Sequence, residues 1–215
     1  MILYQYNRIA MKKILYILLA VIMFGLAACK SALIRQYAVR DPQIETLESV
    51  RNELMQYSRV YTEYLCVFRD SAALVDWFKY KNLPGRSQFY NTAGYRIITQ
   101  DSTFCSGVET DFAGNLKVNQ AYRIDSLATF EKLKRNLLPV GEKVDLDPSK
   151  YSFTCVIFWA KFIGKLNGSS FQIASSALKS QPAKNGRVNI LFVDMDILDF
   201  WKVSGNMIRT ETRTR

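Results

Sequence analysis

Reactive chemistry in this chain rests on four cysteines, Cys29, Cys66, Cys105 and Cys155, and on three closely spaced aspartates, Asp194, Asp196 and Asp199. A redox-active thiol needs a lowered pKa and a partner cysteine one helical turn away to resolve the mixed disulfide. No two cysteines here stand in C-x-x-C spacing. Cys155 lies within an apolar run and reads as a small buried side chain. Cys105, beside Ser106 and Gly107, reads as the most exposed thiol of the three downstream of Cys29. An oxidising compartment would allow one disulfide among Cys66, Cys105 and Cys155, with the pairing left open. The aspartates supply oxygen ligands of the kind Ca²⁺ takes, but the glycine and distal Glu of a recognised loop are missing. Solvation of a strand end and helix N-capping account for them, so no metal and no cofactor is expected. The chain contains no histidine. That removes Ser-His-Asp and Cys-His catalysis, imidazole bases and His-ligated metals together.

The elements that must hold these residues centre on Phe153-Thr154-Cys155-Val156-Ile157-Phe158-Trp159-Ala160, a run with the composition of a strand buried on both faces. A turn follows at Gly164. Residues 167–180 then carry Phe171, Ala174, Ala177 and Leu178 at helical spacing, and residues 188–194 form a second buried strand. Strand, helix and strand make a parallel unit. Upstream, Asp41-Pro42 is a helix start. Ile44, Leu47, Val50, Leu54, Tyr57, Tyr61 and Leu65 predict one long amphipathic helix from it. Residues 64–69 either continue that helix or form a short strand. Asp70-Ser71 caps a second helix burying Leu74, Val75, Trp77 and Phe78, which ends at Pro84-Gly85. Residues 88–90 and 95–99 flank Gly94 as a hairpin, and residues 101–122 offer one more. Asp125-Ser126 opens a helix with Leu127, Phe130, Leu133 and Leu137 on its buried face, stopped by Pro139.

The stretch F-W-A-K-F-I-G-K-L, residues 158–166, resembles the thioredoxin family, where a central strand ending F-W-A leads into W-C-G-P-C. The likeness covers roughly residues 150–203 and includes the Val193-Asp194-Met195-Asp196 ending of the second strand. Phe162 takes the place of the family tryptophan and Gly164 that of the glycine. Ile163 and Leu166 occupy the positions of both redox cysteines, so the resemblance implies the fold without its thiol chemistry. The family ends with proline, strand, turn, strand and helix, and residues 204–215 are too few and too polar for that. The same order occurs upstream as Pro84, the hairpin at 89–99 and the helix at 126–138. The fold class expected is therefore α/β, a thioredoxin-like sheet with flanking helices, rearranged or incomplete, preceded by an N-terminal amphipathic helix. A separate α+β region packed on a βαβ unit is the alternative.

Residues 11–28 resemble a bacterial lipoprotein signal: Met11-Lys12-Lys13, an apolar run over 14–26, then Leu26-Ala27-Ala28-Cys29. The apolar run is shorter than the roughly 20 residues of a spanning helix. The resemblance implies cleavage before Cys29, lipidation of Cys29 and translation starting at Met11. Lys30 in the sorting position implies the inner leaflet of the outer membrane; the periplasm is the expected side for the domain, with the membrane face left open. The division expected is residues 1–28 signal peptide, 29–40 tether, 41–140 helical and hairpin region, and 141–215 thioredoxin-like region. From Cys29 onward 26 basic residues face 19 acidic ones, since Arg8, Lys12 and Lys13 precede it. That excess suits anionic cell-wall or lipid surfaces, and no nucleic-acid-type basic helix is present. The expected role is a redox-inactive, membrane-anchored binding or scaffolding module for an envelope protein, not an enzyme. The alternatives are a redox protein using Cys105 with Cys66 or Cys155, and a basic adaptor for anionic surfaces.

Overall fold

The computed structural model describes residues 36–79, 84–99, 106–118, 120–179 and 187–201. The long helix expected from Asp41-Pro42 is absent. Ile44–Glu45 instead forms a strand, β1, because it pairs in parallel with Ile197 and Leu198. Helix α1 (Leu47–Tyr57) starts after it, with the Thr46 hydroxyl accepting the Ser49 amide at 3.0 Å. Ser58 is extended and caps a separate turn, α2 (Arg59–Thr62), so the continuous apolar period spans two helices. Residues Leu65–Phe68 are strand, β2, buried throughout. Helix α3 (Ser71–Lys79) is capped as expected by Asp70, which accepts the Ala73 amide at 2.7 Å.

The hairpin forms as read, from β3 (Ser87–Asn91) and β4 (Tyr95–Ile97), with Gly94 at φ 76° in the turn. The next stretch supplies a helix, α4 (Ser106–Gly114), where a second hairpin was expected. Residues 126–138 are not one helix either. They divide among β5 (Ile124–Thr129), α5 (Phe130–Lys134) and β6 (Leu137–Pro139). The cause is Asp125, which pairs with Arg96 at 2.6 Å and accepts the Leu127 and Ala128 amides, tying the chain to β4. Leu127, expected on a buried face, is 79% exposed.

The Phe153–Trp159 run is strand β7, buried at every position. A 3₁₀ turn (Lys161–Leu166), helix α6 (Asn167–Lys179), strand β8 (Val188–Asp194), strand β9 (Ile197–Leu198) and a 3₁₀ turn (Asp199–Trp201) follow. Seven strands make one mixed sheet in the order β5-β4-β3-β7-β8-β2-β6. β7, β8 and β2 are mutually parallel, and every other pairing is antiparallel. β7 and β8, from beyond residue 140, lie between β3 and β2 from before it, so the two halves of the chain share a sheet. Helices α1, α4 and α6 cover one face, with Leu54, Ala113, Phe171 and Ile173 against Ile157, Trp159 and Phe192. Helices α3 and α5 cover the other, with Trp77, Phe130 and Leu133 against Val156, Phe158 and Val193. Each fully buried Leu, Ile or Phe contributes roughly 1.5–3 kcal/mol of transfer free energy. Two covered faces explain why β7 and β8 read as continuous apolar runs. Both sheet edges are blunted against further pairing: β5 by its Asp125 bulge, β6 by its length and Pro139.

Candidate functional site

Ile163, Gly164 and Leu166 sit where the chain leaves the carboxyl end of β7. Gly164 takes φ 55° and ψ −127°, a conformation that side-chain-bearing residues rarely adopt. A Cβ there would collide with the carbonyl oxygens of Tyr37 and Ala38, so the segment before β1 lies directly on the turn. The Arg40 amide donates to the Phe162 carbonyl at 2.9 Å. From the other side comes the Pro84-Gly85 turn. The Gly85 amide donates to the Phe158 carbonyl at 2.7 Å, and Ile163 Cδ1 lies 3.4 Å from where a Gly85 Cβ would be. Ile163 is buried, whereas Leu166 is 42% exposed. Asn167, the first residue of α6, grips Ala160 at both backbone groups, accepting its N–H at 3.3 Å and donating to its carbonyl at 2.8 Å.

Lys161 joins this turn to the rest of the molecule. Its Nζ donates to Glu45 Oε2 and to Ser49 Oγ, both at 2.5 Å, and Ser49 Oγ donates to Glu45 Oε2 at 2.8 Å. The side chains of Lys161 and Glu45 are only 9% and 12% exposed. Arg40 approaches the same carboxylate at 3.8 Å. Burial works to raise the Glu45 pKa, but the hydrogen bonds from Lys161 and Ser49 and the two cations outweigh it and hold it below the ordinary value. A lysine bound this closely to a carboxylate serves as a strut between β1, α1 and the turn, not as a free base. Neither Lys161 nor Glu45 nor Ser49 stands out in the sequence. The nearest signal is a lysine placed directly after an apolar strand.

The aspartates are a correction. Asp194 and Asp196 are not a solvated strand end: both are buried, and only Asp199 is exposed. Asp194 lies in register with Trp159 of β7 and Val67 of β2, on the core face of the sheet. Only the Asp196 amide approaches its oxygens, and it forms no well-aligned hydrogen bond to either. Burial, then the neighbouring Asp196 charge, pushes its carboxyl well above the usual range. A protonated Asp194 can donate to Asp196, whose Oδ2 also accepts the Lys161 amide at 2.6 Å. Among the described residues no group of three or more Cys, Asp or Glu is arranged to hold a metal.

The thiols do not gather at the turn. Cys66 in β2 and Cys155 in β7 are fully buried and free, separated by β8 and packed on opposite faces of the sheet. Two strand spacings, roughly 9–10 Å, exceed the span of a disulfide, so the Cys66–Cys155 pairing is ruled out. Burial pushes the Cys66 thiol up to about 12 and Cys155 higher still, the reverse of an activated nucleophile. Cys29 and Cys105 lie outside the described residues, as do the signal and most of the tether. Two clefts, of about 280 and 290 Å³, lie away from the turn. One is lined by Tyr64, Lys143, Tyr151 and Arg187, the other by Arg51, Met55, Arg59 and Glu142. Comparison with family models, curated proteins and solved structures returns no match. Among the described residues no helix is long and apolar enough to cross a membrane.

Proposed function

We propose that this chain is an envelope lipoprotein, lipidated at Cys29 and held at the outer membrane's periplasmic side, whose domain is a redox-inactive, rearranged thioredoxin-like module that binds or scaffolds a partner protein. The fold reading is supported by the strand order β8-β7-β3-β4, with β7 and β8 parallel and β3 and β4 antiparallel. In the family the strand–helix–strand half precedes the strand–strand–helix half. In this chain β3, β4 and α4 come first and β7, α6 and β8 second. Helix α4, rather than the 126–138 segment, then takes the place of the closing helix, and it packs along α6. The approach of the Pro84-Gly85 turn to Ile163 supports the same reading, since the family sets a proline loop beside its redox motif.

The observation that carries the functional reading is the state of the turn itself. Ile163 fills the first thiol position as a buried side chain, and Leu166 stands at the second. Two described thiols lie in strand interiors with raised pKa values. A surface so closed to thiol chemistry suits recognition rather than disulfide exchange. Incubation of the purified protein with insulin and dithiothreitol is expected to give no acceleration of insulin reduction. Acceleration above the uncatalysed rate, abolished by Cys105→Ser, would overturn this reading in favour of a redox protein.

A further inference from the structure

We infer that the end of the sheet bearing the Lys161–Leu166 turn rests against the phospholipid bilayer, so that the domain sits on the membrane with its β7 and β8 carboxyl ends inward. The inference rests on the lipid-anchor reading and adds to it the face that meets the membrane.

Three observations converge. First, the chain is fixed to the turn from Tyr37 onward, by the close approach of Tyr37 and Ala38 to Gly164 and by the Arg40–Phe162 hydrogen bond. Cys29 precedes Gln36 by seven residues, and a chain reaches at most about 3.3–3.6 Å per residue. The lipid-bearing residue is therefore within about 25 Å of this end. The opposite end of β7 lies a further seven residues away, roughly 23 Å at 3.3 Å per residue. It meets the bilayer only if the tether is fully drawn out along the side of the domain.

Second, topology collects apolar groups at the near end. β7, β8 and β2 are parallel, so the turn and the Asp199–Trp201 segment leave the sheet on the same side, where Trp201 Nε1 donates to the Phe68 carbonyl at 3.2 Å. Leu166 is 42% exposed there and Phe200 43%. Third, the charge that reaches this end through the tether is basic. Arg40 and Lys165 are exposed beside the turn and are balanced by exposed Asp41 and Asp199. The sequence between Cys29 and Gln36 then adds Lys30 and Arg35 and no acid. Exposed apolar side chains beside a basic tether match the boundary between acyl chains and anionic headgroups. The competing surface is the β5 bulge at the far end, where Leu127 is the most exposed large apolar side chain. Tether length favours the near end.

The test uses the full lipidated chain carrying Cys105→Ser, in vesicles containing phosphatidylglycerol, with a nitroxide on Leu166→Cys or, in a second sample, on Leu127→Cys. Both positions are exposed and the native Cys66 and Cys155 are buried, so labelling leaves the core intact. The expected result is that vesicle binding makes the 166 label several-fold more accessible to oxygen than to a water-soluble nickel chelate, and leaves the 127 label accessible to nickel. Equal accessibility at the two positions, or protection at 127 alone, overturns the orientation. Mass spectrometry of the membrane-extracted protein separates the two levels. An unmodified Cys29 removes the lipoprotein reading and this inference with it, whereas an acylated Cys29 with a nickel-accessible 166 label removes only the orientation.

Discussion

The two ends of the β7–β8 pair carry charged clusters of similar composition and opposite physics. At the carboxyl end, Lys161, Glu45, Asp194 and Asp196 are closed off from water. At the amino end, Lys150, Asp145 and Asp147 make ion pairs at 3.1 and 3.9 Å in the open. The outer cluster satisfies itself redundantly. Asp145 accepts from the Asp147 amide, Lys150 and Tyr151, and Asp147 accepts twice from Ser149. The inner cluster is satisfied at Glu45 but poorly at Asp194. Asp194 has only the poorly aligned Asp196 amide unless it is protonated. Burial, rather than residue type, decides which cluster the fold depends on.

The sharpest break of that comparison is Lys161→Met. It removes the ammonium and leaves the Glu45 carboxylate nearly buried with only Ser49 and the distant Arg40. Removing one partner of a buried pair typically costs about 3–5 kcal/mol. The lower end, about 3 kcal/mol, is expected from urea denaturation because Glu45 keeps those two contacts. Adding Glu45→Leu should recover most of that loss, since the double variant exchanges a desolvated ion pair for packing. A double variant as unstable as the single one would show that the strut acts through shape, not charge.

The second expectation concerns pH. Asp194 has its folded pKa raised, so its protonated form is the stable one in the fold. Its contribution is whole below the unfolded carboxyl value and is lost as pH rises through the raised folded value. Asp145 behaves in the opposite sense. Burial works to raise it, but the Asp147 amide, Lys150 and Tyr151 together hold it down, so its contribution is lost as pH falls. Asp194→Asn keeps the shape and removes the titration. Its melting temperature should exceed that of the parent at about pH 8 and match it near pH 3.5, roughly the unfolded carboxyl value. A constant difference across the range would mean that Asp194 is not the titrating group.

How much of this was legible in the sequence follows from how local each signal is. β7, β8, the Gly94 hairpin, α3 and α6 rest on period and turn residues within a dozen positions, and all of them formed. The 126–138 segment kept its helical spacing but lost to Asp125, whose bond to Arg96 ties it to a strand 29 residues back. The Gly164 turn was legible because only glycine suits it, but its cover by Tyr37 and Ala38 was not. Glu45 and Ser49 reach Lys161 across 116 and 112 residues, beyond any local pattern. Asp194 and Asp196 were misread because an acid at a strand end is ordinarily solvated. β2 on one side and the β1–β9 pair near Lys161 remove that solvent.

The smallest effect should come from the outer cluster. Lys150→Ala deletes the shared cation, yet Asp145 keeps the Asp147 amide and the Tyr151 hydroxyl, and Asp147 keeps both Ser149 donors. Lys150 is more than half exposed, so its charge is screened and its removal strands no buried group. The urea midpoint is expected to stay within measurement error at physiological ionic strength. A small drop appearing only at low salt would fit a screened surface pair. A loss rivalling that of Lys161→Met would erase the contrast between the two ends, because it would show that solvent exposure does not set the worth of a charge in this fold.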